Sequence, residues 1–90
     1  MTAVSREVRI TNRRGLHARA SAKFVNLASE LGTPIEVEKD ANRVCGTSIM
    51  GLMMLGAAMG DSIVIHVTGL HAEAALDKLA SLVEDRFGED

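Results

Sequence analysis

Ninety residues, with 47% hydrophobic and 24% charged side chains and a formal net charge of −2, describe one small folded domain spanning 1–90, too short for two cores and too apolar for a disordered tail. Two Phe are the only aromatics, which argues against a stacking platform for nucleic acid, and no apolar run approaches the roughly 20 residues of a membrane span. The lone cysteine, Cys45, excludes an internal disulfide, and MTAVSREVRI lacks the long apolar stretch of a signal peptide, so the cytoplasm is the expected compartment.

The chain opens with SREVRIT (5–11), in which Val8 and Ile10 alternate with Arg9 and Thr11, the period of a strand. Arg13-Arg14-Gly15 breaks it, with glycine supplying the turn. From about His17 the period changes: Ala20, Phe24, Leu27, Ala28 and Leu31 make one face of a helix, and Gly32 with Pro34 beyond it ends that helix. PIEVEKD (34–40) alternates again, with Ile35 and Val37 inward. Asp40-Ala41-Asn42 signals a turn, and ANRVCGT (41–47) reads as a short partner strand in which Cys45 is a small packed side chain. Ser48 opens the apolar run SIMGLMMLGA, expected as a short helix, with a buried strand as the alternative. After a loop at 57–61, SIVIHVTG (62–69) is a strand with Ile63, Ile65 and Val67 on one face. From near His71, the residues Ala72, Ala75, Leu76, Leu79, Leu82 and Val83 form a helical stripe ending before Gly88.

The order β-α-β-β-α-β-α, with one apolar face per strand and one apolar stripe per helix, predicts an α+β fold. Its antiparallel sheet is covered on one side by helices. The other face of the sheet is expected to be wet, carrying Arg9, Glu36, Glu38 and His66.

Charge is unevenly spread. Residues 1–23 hold six cations against the single acid Glu7, a local +5, whereas 24–90 hold four cations and eleven acids, a local −7. A basic cluster of this kind is either a solvated surface or a site for an anionic ligand or acidic partner. Within it, NRRGLHAR (12–19) sets His17 at a helix start with Arg19 two residues on. A helix N-terminus carries unpaired N–H groups and a partial positive charge, and it binds phosphate readily. Arginine adds planar, charge-assisted hydrogen bonds to phosphate oxygens. Unperturbed imidazole titrates at about 6.5, and neighbouring cations favour the neutral, nucleophilic form of such a ring. A phosphoryl group taken up there would be held by the same electrostatics that assist its arrival. His66, on an outer strand face, and His71, beside a helix start, have no comparable setting. His17, His66, His71 and Cys45 show no metal-ligand spacing, and no cofactor is expected.

Two motifs make the chain resemble the HPr phosphocarrier family of the bacterial phosphoenolpyruvate-dependent phosphotransferase system. Gly15-Leu16-His17-Ala18-Arg19 is similar to the family's phosphorylation site. Ser48-Ile49-Met50-Gly51-Leu52-Met53, followed by Leu55-Gly56 and Gly60, is similar to its second block. The resemblance spans nearly the whole chain. It implies an open-faced β-sandwich of four antiparallel strands covered on one face by three helices. It also implies a carrier recharged each cycle and not an independent enzyme. In that cycle His17 takes a phosphoryl group on its δ nitrogen from phospho-enzyme I, and passes it to a histidine of an enzyme IIA domain in sugar uptake. Arg19 and the backbone N–H groups of Ala18 and Arg19 would hold the phosphate. Ser48 matches a serine that a dedicated HPr kinase/phosphorylase modifies in some bacteria, and Thr-Ser before an apolar run is also an ordinary helix cap. Ile49, Met50 and Met53 would form the docking surface, for which flexible methionines are suited, while Leu52 and Leu55 belong to the core. The expected state is a monomer. Two departures stand out: Ala20 replaces the family's usual proline, which a helix start does not need, and Thr47 replaces a commonly basic residue before the serine. Two other functions fit the same residues: a nitrogen-related or regulatory branch of the system, and a binding module that is never phosphorylated.

Overall fold

The computed structural model describes residues 2–89; the ends of the expected domain, Met1 and Asp90, lie outside the described residues. The elements are β1 (Ala3–Arg9), α1 (Ala18–Leu31), β2 (Ile35–Lys39), β3 (Asn42–Cys45), α2 (Ile49–Met54), β4 (Ser62–Thr68), α3 (Ala72–Glu84) and a short 3-10 turn, Arg86–Gly88. The strands form one sheet in the order β1-β4-β2-β3, and every neighbouring pair is antiparallel. This is the four-stranded, helix-covered α+β architecture that the hydropathy pattern predicts.

Alternation decides which way each strand faces. Val8, Ile35, Val37, Ile63, Ile65 and Val67 are buried under the helices, and the residues between them point to the open face. β1 starts earlier than the apolar pattern indicates, because backbone pairing with β4 continues from Val8 opposite Ile63 to Ala3 opposite Thr68. On the open face Glu36 and Arg9 are exposed, but His66 and Glu38 are half-buried and joined, Nε2 to Oε1, at 2.8 Å. The β2–β3 hairpin turns through Asp40 and Ala41 at φ of 50° and 68°, the double left-handed conformation that suits the twist of a tight hairpin.

Helices α1 and α3 contribute the other wall of the core. Phe24, Ala20 and Ala28 of α1 and Leu79, Ala80 and Val83 of α3 are fully or almost fully buried. Gly32 ends α1 in the left-handed conformation at φ 65°, as its position in the sequence predicts. The alternative reading of 48–57 as a buried strand does not hold: α2 is a short helix, with Leu52 and Leu55 in the core and Ile49, Met50 and Met53 exposed. Cys45 also departs from expectation. It lies on the edge strand β3 and is exposed, because nothing covers the outward face there. The hydroxyl and amide of Thr47 hydrogen-bond its thiol and hold it below its usual range. No helix among the described residues is long and apolar enough to cross a membrane.

Candidate functional site

The site is built on the loop between β1 and α1, and its shape starts with Gly15. This residue has φ +64°, and a Cβ there would lie 2.3 Å from the carbonyl oxygen of Ala57. Only glycine allows both the left-handed backbone and the close approach. The next amide, Leu16 N–H, donates to that same Ala57 carbonyl at 2.9 Å, and the Leu16 side chain is buried. The histidine loop is thereby fastened to the loop that follows α2. From the other side, the Ser21 hydroxyl, itself buried, donates to the Leu16 carbonyl at 3.1 Å.

His17 is the N-cap of α1, with extended backbone. Its Nδ1 accepts a hydrogen bond from the Arg19 amide at 3.3 Å, the position usually taken by a serine, threonine or asparagine oxygen. Its Nε2 lies 2.7 Å from Glu89 Oε2. A single neutral tautomer satisfies both contacts: Nδ1 carries the lone pair, and Nε2 carries the proton and donates it to the carboxylate. The imidazole side chain retains 16% of its exposure and the carboxylate 17%, so the pair is shielded but within reach of a partner's surface. Arg13, Arg14, Arg19 and Glu89 line one hollow beside the ring. Three of the cations that the sequence places in its basic cluster therefore converge.

Two residues of the site carry no weight in the sequence reading. Asn12 is fully buried; its Nδ2 donates to the Gly15 carbonyl at 2.9 Å and to Glu89 Oε1 at 3.1 Å. Its Oδ1 has no hydrogen-bond partner among the described residues. An asparagine three positions before a glycine is a turn signature, so Asn12 had a local signal. Glu89 had none, since 72 positions separate it from His17. To the cations and helix amides that the sequence places around His17, the structure thus adds a carboxylate at the far nitrogen. Burial opposes ionisation of Glu89, but hydrogen bonds from Asn12 and His17, and the charges of His17 and Lys23, outweigh it and hold the carboxyl below its ordinary value.

The remaining expected residues fall as follows. The first-turn amides of Ala18 and Arg19 open α1. Ser48 is the N-cap of α2, and its Oγ accepts from Gly51 N–H at 2.9 Å. Ile49, Met50 and Met53 are exposed at 40, 69 and 40%, and Met54 of the same helix and Met59 in the loop after it are exposed at 80 and 58%. Among the described residues no group of three His, Cys, Asp or Glu side chains is placed to hold a metal ion.

Residues 4–85 match the family described as "PTS HPr component phosphorylation site". The chain is similar to a phosphocarrier protein HPr of Cupriavidus necator, 38% identical over 86 residues that cover 96% of this chain and 97% of that protein. It is also similar to a phosphocarrier protein NPr of Shewanella violacea, 40% identical over 89 residues, covering 99% and 98%. Its fold superimposes on the crystal structure of HPr-C-His from Thermoanaerobacter tengcongensis with a TM-score of 0.88 and 41% identity, covering 100% of this chain and 99% of that one.

Proposed function

The chain belongs to the HPr phosphocarrier family of the phosphotransferase system, and on that footing we propose that it carries a phosphoryl group on His17 Nδ1. The group comes from phospho-enzyme I, charged by phosphoenolpyruvate, and passes to a histidine of an enzyme IIA domain in sugar uptake. The observation that carries this reading is the hydrogen-bond pattern of the ring: Nδ1, the nitrogen with the lone pair, is the one turned toward the first amides of α1. Attack by Nδ1 forms the new N–P bond as the donor's N–P bond breaks and its electron pair returns to the donor nitrogen. The arriving dianion meets the partial positive end of a 14-residue helix and the Arg19 guanidinium. The Arg19 amide, which caps the resting ring, turns to a phosphate oxygen. The protein acts as a reactant recharged by its partners, which bring the rest of the catalytic surroundings.

The exposed apolar surface of Ile49, Met50 and Met53 serves as the docking face for those partners. Fastening of the histidine loop to Ala57, in the loop directly after α2, supports a shared approach to both. Ser48 is the proposed regulatory acceptor. A phosphate there would add up to about −2 charge at the edge of the docking face and repel acidic partners.

Incubation with enzyme I, magnesium and radiolabelled phosphoenolpyruvate tests the carrier. Acid-labile, alkali-stable label is expected on the wild type and none on His17→Ala; an unlabelled wild type with active enzyme I overturns the reading in favour of a binding module. The likeness to an NPr keeps a regulatory, nitrogen-related branch as the second reading. Label draining to a sugar-specific enzyme IIA favours the first reading, and label draining only to a regulatory one favours the second. For Ser48, ATP and an HPr-type kinase are expected to give acid-stable label that Ser48→Ala abolishes.

A further inference from the structure

The chain reaches His17 a second time, from its C-terminal end, and by a strained route. After α3, Arg86, Phe87 and Gly88 all take left-handed φ values, 56°, 55° and 74°, a conformation that bulky L residues avoid. Two contacts hold it. The Phe87 side chain is buried to 1% exposure, and Lys23 Nζ of α1 donates to the Phe87 carbonyl at 2.6 Å. The turn delivers Glu89 to the imidazole. One carboxylate oxygen accepts from His17 Nε2 at 2.7 Å and the other from Asn12 Nδ2 at 3.1 Å, while Asn12 also holds the Gly15 carbonyl of the histidine loop. The carboxylate is therefore fixed at both ends, to the ring and to the loop that carries it. Left-handed backbone of this kind persists where its surroundings over-determine it, and such places cluster at functional sites.

We propose that Glu89 is a positioning residue for phosphoryl transfer, which holds the Nε2 proton of His17 and so leaves Nδ1 as the one nucleophilic nitrogen of the ring. Its purpose rests on the phosphocarrier reading; its effect on the ring does not. A neutral imidazole has one protonated nitrogen and one with a free pair. While Glu89 engages Nε2–H, that nitrogen has no pair to offer and is covered. When Nδ1 bonds phosphorus, the donor's bond to phosphorus breaks with its pair on the leaving group, and the ring, still protonated at Nε2, becomes cationic. The carboxylate 2.7 Å away offsets that charge as it appears. The proton then stays on Nε2 or passes to solvent. Without Glu89 only the 3.3 Å bond from the Arg19 amide favours that tautomer, Nε2 is uncovered, and the other tautomer can attack through it.

Phosphoramidate tests this without any partner protein: it transfers its phosphoryl group to imidazole, its P–N bond breaks and ammonia leaves. The full chain is treated near neutral pH, and early products are read by phosphorus NMR, which separates the two phosphohistidine isomers. The wild type is expected to give the Nδ1 isomer alone. Glu89→Ala is expected to give the Nε2 isomer beside it, in a chain whose thermal unfolding curve shows it still fully folded at the temperature of the reaction. Glu89→Gln, which keeps an acceptor oxygen, is expected to restore the Nδ1 product. A purely structural role for the tail would not move the isomer ratio. The proposal is overturned if Glu89→Ala gives the same isomer as the wild type, if the wild type gives Nε2 product, or if its ring does not react. Loss of labelling by enzyme I with the isomer shift intact would overturn the phosphocarrier reading and leave Glu89's role standing.

Discussion

Two helix starts in this protein are capped in the same way and equipped differently. At α1, His17 Nδ1 accepts from the Arg19 amide at 3.3 Å; at α2, Ser48 Oγ accepts from the Gly51 amide at 2.9 Å. Both caps satisfy an orphan N–H of the first turn. The serine makes the shorter bond, on a six-residue helix with no acidic residue in its first turn and no basic residue in its last, bordered by exposed methionines. The histidine makes the looser bond, on a 14-residue helix, with Arg13, Arg14 and Arg19 around it and Glu89 behind it. A third helix start completes the contrast: His71 precedes α3 but makes no side-chain cap bond at all. Histidine at a helix N-terminus is therefore not enough. What distinguishes His17 is a nitrogen loosely held by the amides, with its other nitrogen tightly held from behind.

Substitutions can break this contrast by graded amounts. The largest effect on stability is expected at Gly15. Alanine there meets a backbone carbonyl at 2.3 Å in a left-handed conformation, and the backbone and overpacking penalties together amount to roughly 2–4 kcal/mol. Chemical denaturation of Gly15→Ala should show that loss, accompanied by failure to label His17; unchanged stability would mean that the loop is free to move off Ala57. Ser48→Ala should cost about 1 kcal/mol for the lost cap and leave His17 labelling intact, which would separate the two helix starts as independent units.

Acid should distinguish them next. Glu89 has its carboxyl held below the ordinary 4.5. A depressed carboxyl contributes stability that is complete above the unfolded value and is lost as pH falls through the lower, folded one. The groups facing it are His17, Asn12, Lys23 and the three arginines of the hollow. NMR signals of Glu89 and Phe87 are expected to report an attached tail at pH 5 and its release only as pH falls further, below the ordinary carboxylate range, while Gly51 N–H at the Ser48 cap stays unchanged; release already at pH 5 would contradict the depressed carboxyl. The smallest effect is expected at His71→Ala, within about 0.5 kcal/mol, as befits an exposed side chain with no cap bond. A larger loss by thermal denaturation would show that α3 depends on a contact absent from this conformation.

Much of the architecture was legible because the signals are local. Period-two runs set β1, β2 and β4, and a buried face at helical spacing set α1 and α3. Gly32 and Ser48 marked a helix end and a helix start through their own backbone and side-chain chemistry. The conjunction of His17 and Arg19 was equally readable, since two residues at a helix start share the same small space. Cys45 was misplaced because a four-residue strand does not show by itself which side faces the helices; pairing with β2 sets Cys45 opposite Glu36 on the open face. The length of β1 was understated because pairing with β4, and not side-chain polarity, extends it to Ala3.

The sequence by itself determined the elements, the core faces and the place of His17 at a helix start, since each follows from residues within a few positions of one another. Only the tertiary structure decided the order β1-β4-β2-β3, the buried bracing of the loop by Asn12 and the arrival of Glu89 at the imidazole. The physical reason is that a carboxylate 72 positions away leaves no trace in local periodicity. Its position is fixed by where α3 ends, by a left-handed turn after it, and by Phe87 finding the one core that the whole chain builds.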